Sequence, residues 1–136
     1  MSNTRFATAV HIMTLLSKSY PEWLTSDWIA GSINVNPVII RKELGGLKKA
    51  GLVESRLGKE GGIRLSKNPD LIQISEIYTV IQNNELLGKK NMKPNPNCSV
   101  GKEINIHLDE LFDETTQLVL NFLKNKSLQE FTNQFR

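Results

Sequence analysis

Residues 56–65, RLGKEGGIRL, combine glycines and cations in a pattern that suits contact with a polyanion. Three glycines fall within five positions, and Arg56, Lys59 and Arg64 lie around them. Glycine tolerates the positive φ that a tight hairpin needs, and it lets the backbone come close to a ligand. Guanidinium and ammonium groups donate hydrogen bonds to phosphate oxygens. The stretch therefore predicts a hairpin tip that brings positive charge against an anionic partner.

The charge of the chain is concentrated around this stretch. The net charge is only +3, but residues 1–68 hold ten Lys/Arg against five Asp/Glu, whereas residues 69–136 hold seven against nine. Between Arg41 and Lys67 there are eight cations and three anions. Such asymmetry favours a nucleic acid or another anionic partner for the first half of the chain.

The sequence contains few residues that could form a catalytic site. It has two histidines and one cysteine, and it lacks a phosphate-binding loop, a dinucleotide fingerprint and a metal-spaced cluster of ligands. We therefore expect neither an enzyme nor a cofactor or metal site.

At 136 residues, with 39% hydrophobic and 23% charged residues, the chain fits one globular domain with an appended element. No apolar run long enough to span a membrane and no signal peptide is visible, and a lone cysteine fits a cytoplasmic protein.

The elements that must position the basic stretch follow from hydrophobic spacing and from capping residues. Helical spacing predicts a first helix over 3–18, and Thr25 or Ser26 is suited to cap a second over 27–33. Asn36 before Pro37 is the clearest helix start, so we expect a third helix over 37–50. Two strands over 52–57 and 63–65 follow, and residues 23–25, before the second helix, are expected to form a short extended segment. A fourth helix near 76–87, for which Ser75 is a candidate cap, a long helix over 100–125 and a short one over 127–134 complete the prediction.

Three helices followed by a two-stranded hairpin is the order of a winged helix-turn-helix domain. In that arrangement the third helix enters the major groove of DNA and the hairpin, or wing, lies against the backbone or the minor groove. The predicted fold is mainly α with a small β-hairpin, that is, a winged helix-turn-helix domain plus a long dimerisation helix. Double-stranded DNA becomes the expected partner.

Three segments in this order resemble the Rrf2 family of bacterial winged-helix transcription regulators. They are NPVIIRK at 36–42, LKKAGLV at 47–53 and GKEGGIRL at 58–65. The resemblance covers nearly the whole chain and implies a homodimer, most simply a repressor, that binds a palindromic operator with two recognition helices and two wings. The DNA-binding residues it implies, together with those of the wing, are Arg5, Ser26, Asn36, Val38, Ile39, Arg41, Lys42, Arg56, Lys59 and Arg64.

The long helix carries a wide apolar stripe, which favours a partner helix over packing on its own domain. The dimerisation residues we expect are Ile104, Leu108, Leu111, Phe112, Leu118, Val119 and Phe122. The chain then divides into a DNA-binding domain with its following helix over 1–87, a linker over 88–99 and a dimerisation region over 100–136.

Cys98 marks a difference from those members of the Rrf2 family that bind an iron–sulfur cluster. Those members supply three cysteines before the long helix, and this chain supplies one. Its position before a helix N-terminus and near several lysines would lower its pKa, which favours a candidate redox or electrophile switch. A simple buried thiol is the other interpretation. The effector, an oxidant or a small molecule, stays open at this point.

Two other functions remain as alternatives. A winged-helix module that binds a protein and no longer binds DNA would show complexes insensitive to salt. A thiol enzyme using Cys98 would turn over a substrate without affinity for DNA, and nothing in the sequence recommends it.

Overall fold

The computed structural model describes residues 4–82 and 86–136, and within them the elements follow the predicted order. Six helices and two strands are present in these residues: α1 Arg5–Ser19, α2 Ser26–Ile33, α3 Pro37–Lys49, β1 Val53–Arg56, β2 Gly62–Leu65, α4 Ile74–Ile81, α5 Ile104–Lys124 and α6 Leu128–Thr132. A short 3₁₀ turn, Pro69–Leu71, precedes α4. Residue 3, where the prediction started the first helix, and residues 83–85, within the predicted fourth helix, lie outside the described residues.

The core is built around α1. Its buried side chains include Ile12, Met13 and Leu16, each 0% exposed, and they meet apolar residues from every neighbouring element. The core residues from α2, α3, the hairpin, α4, α6 and the segments just before β1 and α4 are Ile29, Ala30, Ile40, Leu44, Leu47, Leu52, Val53, Leu65, Ile72, Ile74, Ile77, Ile81 and Leu128. One continuous core therefore fixes the positions of α3 and the hairpin.

Side-chain caps set the starts of α2 and α3. The hydroxyl of Thr25 accepts a hydrogen bond from the Trp28 backbone N–H at 3.1 Å, so Thr25 and not Ser26 caps α2. Asn36 caps α3 by accepting from the Val38 N–H at 2.9 Å, and Pro37 takes the first helical position. The predicted start of the third helix is confirmed.

The hairpin pairs antiparallel with Val53 opposite Leu65 and Arg56 opposite Gly62. A third piece of chain joins it, because the backbones of Leu24 and Ile63 exchange two hydrogen bonds of 2.8 and 2.7 Å. The short extended segment predicted near residue 24 is thus present and pairs with the outer side of β2. A Cβ on Gly62 would lie 2.5 Å from the Leu24 carbonyl oxygen, so this pairing needs glycine there.

The fourth helix was misplaced by the sequence pattern. It begins at Ile74 and ends at Ile81, where Gln82 turns to an extended conformation, so Leu87 is not part of it. Ser75 is not its cap. The start is fixed instead by the carboxylate of Glu76, which accepts a hydrogen bond from the Gln73 backbone N–H at 2.8 Å.

The long helix is shorter than predicted and begins four residues later. It spans 21 residues, or about 32 Å at 1.5 Å per residue. Residues 98–103 form turns, and a Cβ on Gly101 would lie 2.5 Å from the Asn95 carbonyl oxygen. The backbone at Gly101 therefore lies close against the linker, and the helix starts at Ile104.

The C-terminal helix returns to the winged-helix body. Ser127 caps α6 by accepting from the Glu130 N–H at 3.0 Å, and the Leu128 N–H donates to the Ile72 carbonyl at 2.8 Å. Leu128 is fully buried in the core. No helix within the described ranges has both the length and the apolar character needed to cross a membrane.

Candidate nucleic-acid interface

Helix α3 has one buried and one exposed face, and the exposed face carries the predicted recognition residues. Ile40, Leu44 and Leu47 point into the core. Val38 and Ile39 are 63% and 47% exposed. The other members of the predicted face, Asn36, Arg41 and Lys42, are exposed as well. Helix α3 therefore presents methyl groups, an amide and two cations on one accessible side.

A shallow depression joins this face to the wing and to the start of α2. Its volume is about 280 Å³. It is lined by Ser26, Arg41, Leu44, Gly45, Lys48, Val53, Ser55 and Ile63. Two residues from the predicted set, Ser26 and Arg41, thus share one surface, and Lys48 donates a hydrogen bond to the Ser55 hydroxyl at 2.6 Å across it. The fold brings α2, α3 and the hairpin to a single concave site.

Arg41 is paired only loosely within the chain. Its guanidinium lies 3.7 Å from the Asp27 carboxylate, and the two side chains are 57% and 81% exposed. Surface pairs of this kind contribute little free energy, about 0–1 kcal/mol. The guanidinium therefore stays accessible to a base edge or a phosphate.

The two arginines of the wing are held more firmly. Arg64 donates from Nε to the Glu54 carboxylate at 2.6 Å and from Nη1 to the Pro21 carbonyl at 3.4 Å. Arg56 donates from Nη2 to the Glu60 carbonyl at the tip. Both guanidinium carbons also lie over the ring of Trp23, at 4.4 Å for Arg56 and 4.2 Å for Arg64.

The tip of the wing owes its shape to glycine. Gly58 has φ of +103°, and a Cβ on Gly61 would lie 2.0 Å from the Arg56 carbonyl oxygen. The Gly61 N–H donates to the Gly58 carbonyl at 3.0 Å, which closes the turn. Leu57, 97% exposed, and Lys59 lie on this closed tip. A small, tightly wound tip thus carries one fully exposed apolar side chain beside a cation.

Arg5, at the start of α1, forms an ion pair within the chain. Its Nε donates to the Glu43 carboxylate at 3.1 Å, and Glu43, on the inner side of α3, is only 4% exposed. A buried carboxylate needs such a partner. Arg5 therefore links the start of α1 to α3, and its own side chain is 37% exposed.

The predicted dimerisation residues lie on a helix that the chain itself does not bury. None of the 21 residues of α5, all of which the structure describes, is buried. Leu111, Leu118 and Phe122 are 52%, 71% and 64% exposed. Ile104, Leu108, Phe112 and Val119 are half-buried. Ile106, which the sequence analysis left out, is 63% exposed, and the helical period places it on a different side of α5 from Leu111 and Leu118.

Cys98 is exposed, so the interpretation as a simple buried thiol is wrong. Hydrogen bonds from the backbone N–H groups of Gly101 and, second, Val100 lower the pKa of the Cys98 thiol. Favouring the thiolate is what a reactive cysteine needs.

Two features of the interface were missed from the sequence. For Trp23 the sequence pattern predicts only an extended segment, and for Leu57 only a strand, so neither residue is predicted to belong to the interface. Trp23 lies far from Arg56 and Arg64 in the chain, so no local spacing indicates that they meet. Leu57 could have been found, because a large apolar residue directly before a glycine turn is placed where a hairpin exposes it.

Comparison with known proteins gives a consistent result. A family model described as Rrf2, iron-dependent transcriptional regulator, matches residues 2–134. A Bacillus subtilis (strain 168) protein, provisionally named HTH-type transcriptional regulator YwnA, is 41% identical over 133 residues, 98% of each chain. A solved structure provisionally described as a DNA-binding protein is 37% identical with a TM-score of 0.74, over 93% of this chain and 97% of that one. CymR, the global cysteine regulator of B. subtilis, is 21% identical and shares the fold with a TM-score of 0.73, over 100% and 98%.

The residues of this chain do not fit the iron–sulfur site of cluster-binding relatives. Such clusters are held mainly by several cysteine thiolates, and the sequence has one cysteine. Within the described part of the chain, no three His, Cys, Asp or Glu side chains come together as ligands of a metal ion. The donor set therefore gives no basis for a bound cluster in the mechanism.

Proposed function

Because the chain belongs to the Rrf2 family of transcriptional regulators, we propose that it is a homodimeric repressor that binds a palindromic operator in double-stranded DNA. Family membership makes it a regulator of transcription and not an enzyme. The repressor role, the dimer and the palindrome are the parts we add. The site of action is then the cytoplasm.

One observation carries the assignment of the DNA-binding surface. The start of α2, α3 and the hairpin meet at one concave site, which contains Ser26 and Arg41, and Val38 and Ile39 are exposed in the first turn of the same α3. Methyl groups suit the thymine methyl in the major groove, and guanidinium suits guanine or phosphate. We place α3 in the major groove and the wing, over 56–65, on the backbone or in the minor groove.

The dimer is proposed through α5. The exposed leucines and phenylalanine of α5 form a surface that a second copy of the same helix would cover, and a two-fold dimer would present two copies of α3 to two half-sites. The division into a DNA-binding part over 1–87, a linker over 88–99 and a dimerisation region over 100–136 belongs to the same proposal.

Cys98 is the candidate point of regulation. It lies in the turns directly before α5, is exposed and has a lowered pKa. Oxidation or alkylation there would add bulk or charge beside the helix that sets the spacing of the two wings. An oxidant or an electrophile is therefore the effector we propose.

Selection from a genomic fragment library tests these proposals together. The wild-type protein is incubated with the library under reducing conditions, and again after mild peroxide treatment. We expect enrichment of a palindromic site that is lost after treatment, and the Cys98→Ser variant should keep it. Enrichment that is indifferent to treatment would contradict only the role of Cys98. Absence of any enrichment would favour a winged-helix module that binds another protein.

A further inference from the structure

Trp23 lies outside both the recognition helix and the wing, yet it contacts the two arginines of the wing. The bridge between Leu24 and Ile63 places the preceding residue, Trp23, opposite Arg64 when its antiparallel register is extended by one position. Arg64 in turn pairs with Glu54 on β1. An indole, a guanidinium and a carboxylate therefore form one row across three adjacent segments of chain.

Arg64 is fixed from several sides within this row. Its guanidinium carbon lies 4.2 Å from the centre of the Trp23 ring, and its Nε and Nη1 donate to Glu54 and to the Pro21 carbonyl. A planar guanidinium stacks well on an aromatic face while its N–H donors remain at its edges. The stacked side chains of Arg64 and Trp23 therefore restrict each other's conformations.

Arg56 uses the same indole from the next position of the sheet face. It lies opposite Gly62, which has no side chain to fill the space beside it. The guanidinium carbon of Arg56 lies 4.4 Å from the centre of the Trp23 ring, and its Nη2 donates to the Glu60 carbonyl at the tip. The Arg56 side chain is exposed, so a phosphate can approach the guanidinium edge.

We propose that Trp23 is a positioning residue for DNA binding: it orders the Arg56 guanidinium for contact with a phosphate before DNA arrives. This inference rests on the proposed function and assigns to Trp23 a role that neither the recognition helix nor the hairpin supplies. Freezing a long, rotamer-rich side chain on binding costs affinity, and a side chain already ordered by stacking avoids that cost. Arg64 and Glu54 fix the ring, and Arg56 is the group that the ring presents.

The test is a double-mutant cycle between Trp23 and Arg56, read as operator affinity at fixed salt. Trp23→Leu keeps an apolar side chain without a ring, and Trp23→Phe keeps a smaller ring. We expect Trp23→Leu to weaken binding by about three- to tenfold for each wing that contacts DNA. Trp23→Phe should lie between Trp23→Leu and the wild type. In an Arg56→Ala background, Trp23→Leu should cause no further loss, because the group it orders is gone.

A merely structural role would give a different pattern. If Trp23→Leu lowers affinity by the same factor with and without Arg56, the positioning role is overturned. Equal affinity of Trp23→Leu and the wild type, with Arg56→Ala weaker than both, also overturns it and leaves the proposed function intact. Failure of the wild-type protein to bind any DNA fragment overturns the proposed function itself. Should Trp23→Leu unfold, as seen by circular dichroism, the cycle is run with Trp23→Phe, and an effect independent of Arg56 has the same overturning force.

Discussion

The winged-helix body and the long helix α5 differ in how their apolar surface is satisfied. In the body, leucines, isoleucines and a methionine from α1 to α4, the hairpin and α6 share one core, and ten of the large side chains are fully buried. In α5, by contrast, every apolar residue is exposed or half-buried. The body buries its apolar core within one chain, whereas no residue of α5 is buried in that chain.

This difference indicates which contacts give each region its free energy of folding. Burial of apolar area is the main favourable term in folding, at about 25 cal/mol per Å². The body obtains that term from contacts along its own chain. Helix α5 contacts α4, and Leu123 packs against the core, but Leu111, Leu118 and Phe122 stay more than half exposed. We therefore expect α5 to draw its stability from a second protomer.

The largest expected effect is on assembly. Leu118 is 71% exposed on α5, and a two-fold interface would bury it in both protomers. We expect Leu118→Asp to weaken dimerisation by at least about a hundredfold, since burying each leucine contributes about 1.5–3 kcal/mol. Sedimentation velocity measures the change. Leu71→Asp is the matched control, because Leu71 is 63% exposed but lies on the 3₁₀ turn of the body. If Leu118→Asp and Leu71→Asp sedimented alike, dimerisation through α5 would be wrong.

The next effect concerns the stability of the body. Leu47 is fully buried on the inner side of α3, and Leu47→Ala should lower the free energy of unfolding by about 2–5 kcal/mol. Val38→Ala, on the exposed side of the same helix, should change it by less than about 0.5 kcal/mol. Urea denaturation followed by circular dichroism measures both. A large loss in Val38→Ala would show that the outer face of α3 is packed and not open to DNA.

A smaller effect separates base recognition from phosphate contact. Arg41→Ala should weaken operator binding by about 1–3 kcal/mol and relax the preference for the operator sequence. Lys59→Ala should weaken binding to all sequences alike and lower the slope of log affinity against log salt by about one. Fluorescence anisotropy at several salt concentrations distinguishes them. Lys93→Ala, which removes the same charge from the linker, is the control. If Lys59→Ala matched this control, the wing tip would not contact DNA.

The smallest effect is the reactivity of Cys98. The N–H groups of Gly101 and Val100 stabilise the thiolate and lower the pKa of Cys98, so more thiolate is present at neutral pH than for an ordinary thiol. The rate of alkylation by iodoacetamide should therefore rise with pH through a midpoint below that of the same protein in urea. Coinciding midpoints would mean that the backbone of the 98–101 turn does not tune the thiol.

Much of the body could be predicted from short-range signals. Asn36 and Pro37 start α3 because an amide caps the free N–H groups of a first turn and proline needs no donor there. The glycines at 58, 61 and 62 indicated the hairpin because of their backbone freedom. The predicted position of the fourth helix is wrong because its start depends on the Glu76 carboxylate accepting from the Gln73 N–H, and Ser75 does not cap it.

The candidate site was predictable in its residue types and less so in their environments. Exposed Val38, Ile39 and Arg41 follow from the helical period once the buried side of α3 is known. Arg5, predicted to contact a phosphate, also pairs with buried Glu43, a contact between two helices that no spacing reveals. Local patterns name the charged groups, and only the packed structure assigns their partners.

The sequence by itself determined the order of elements, the basic hairpin and the family, because capping, periodicity and glycine content act over a few residues. The tertiary structure alone decided that α6 returns to the body, that Trp23 stacks on two arginines of the wing, and that α5 stays unburied. These features join residues far apart in the chain, so they depend on how the core closes and not on local conformational preference.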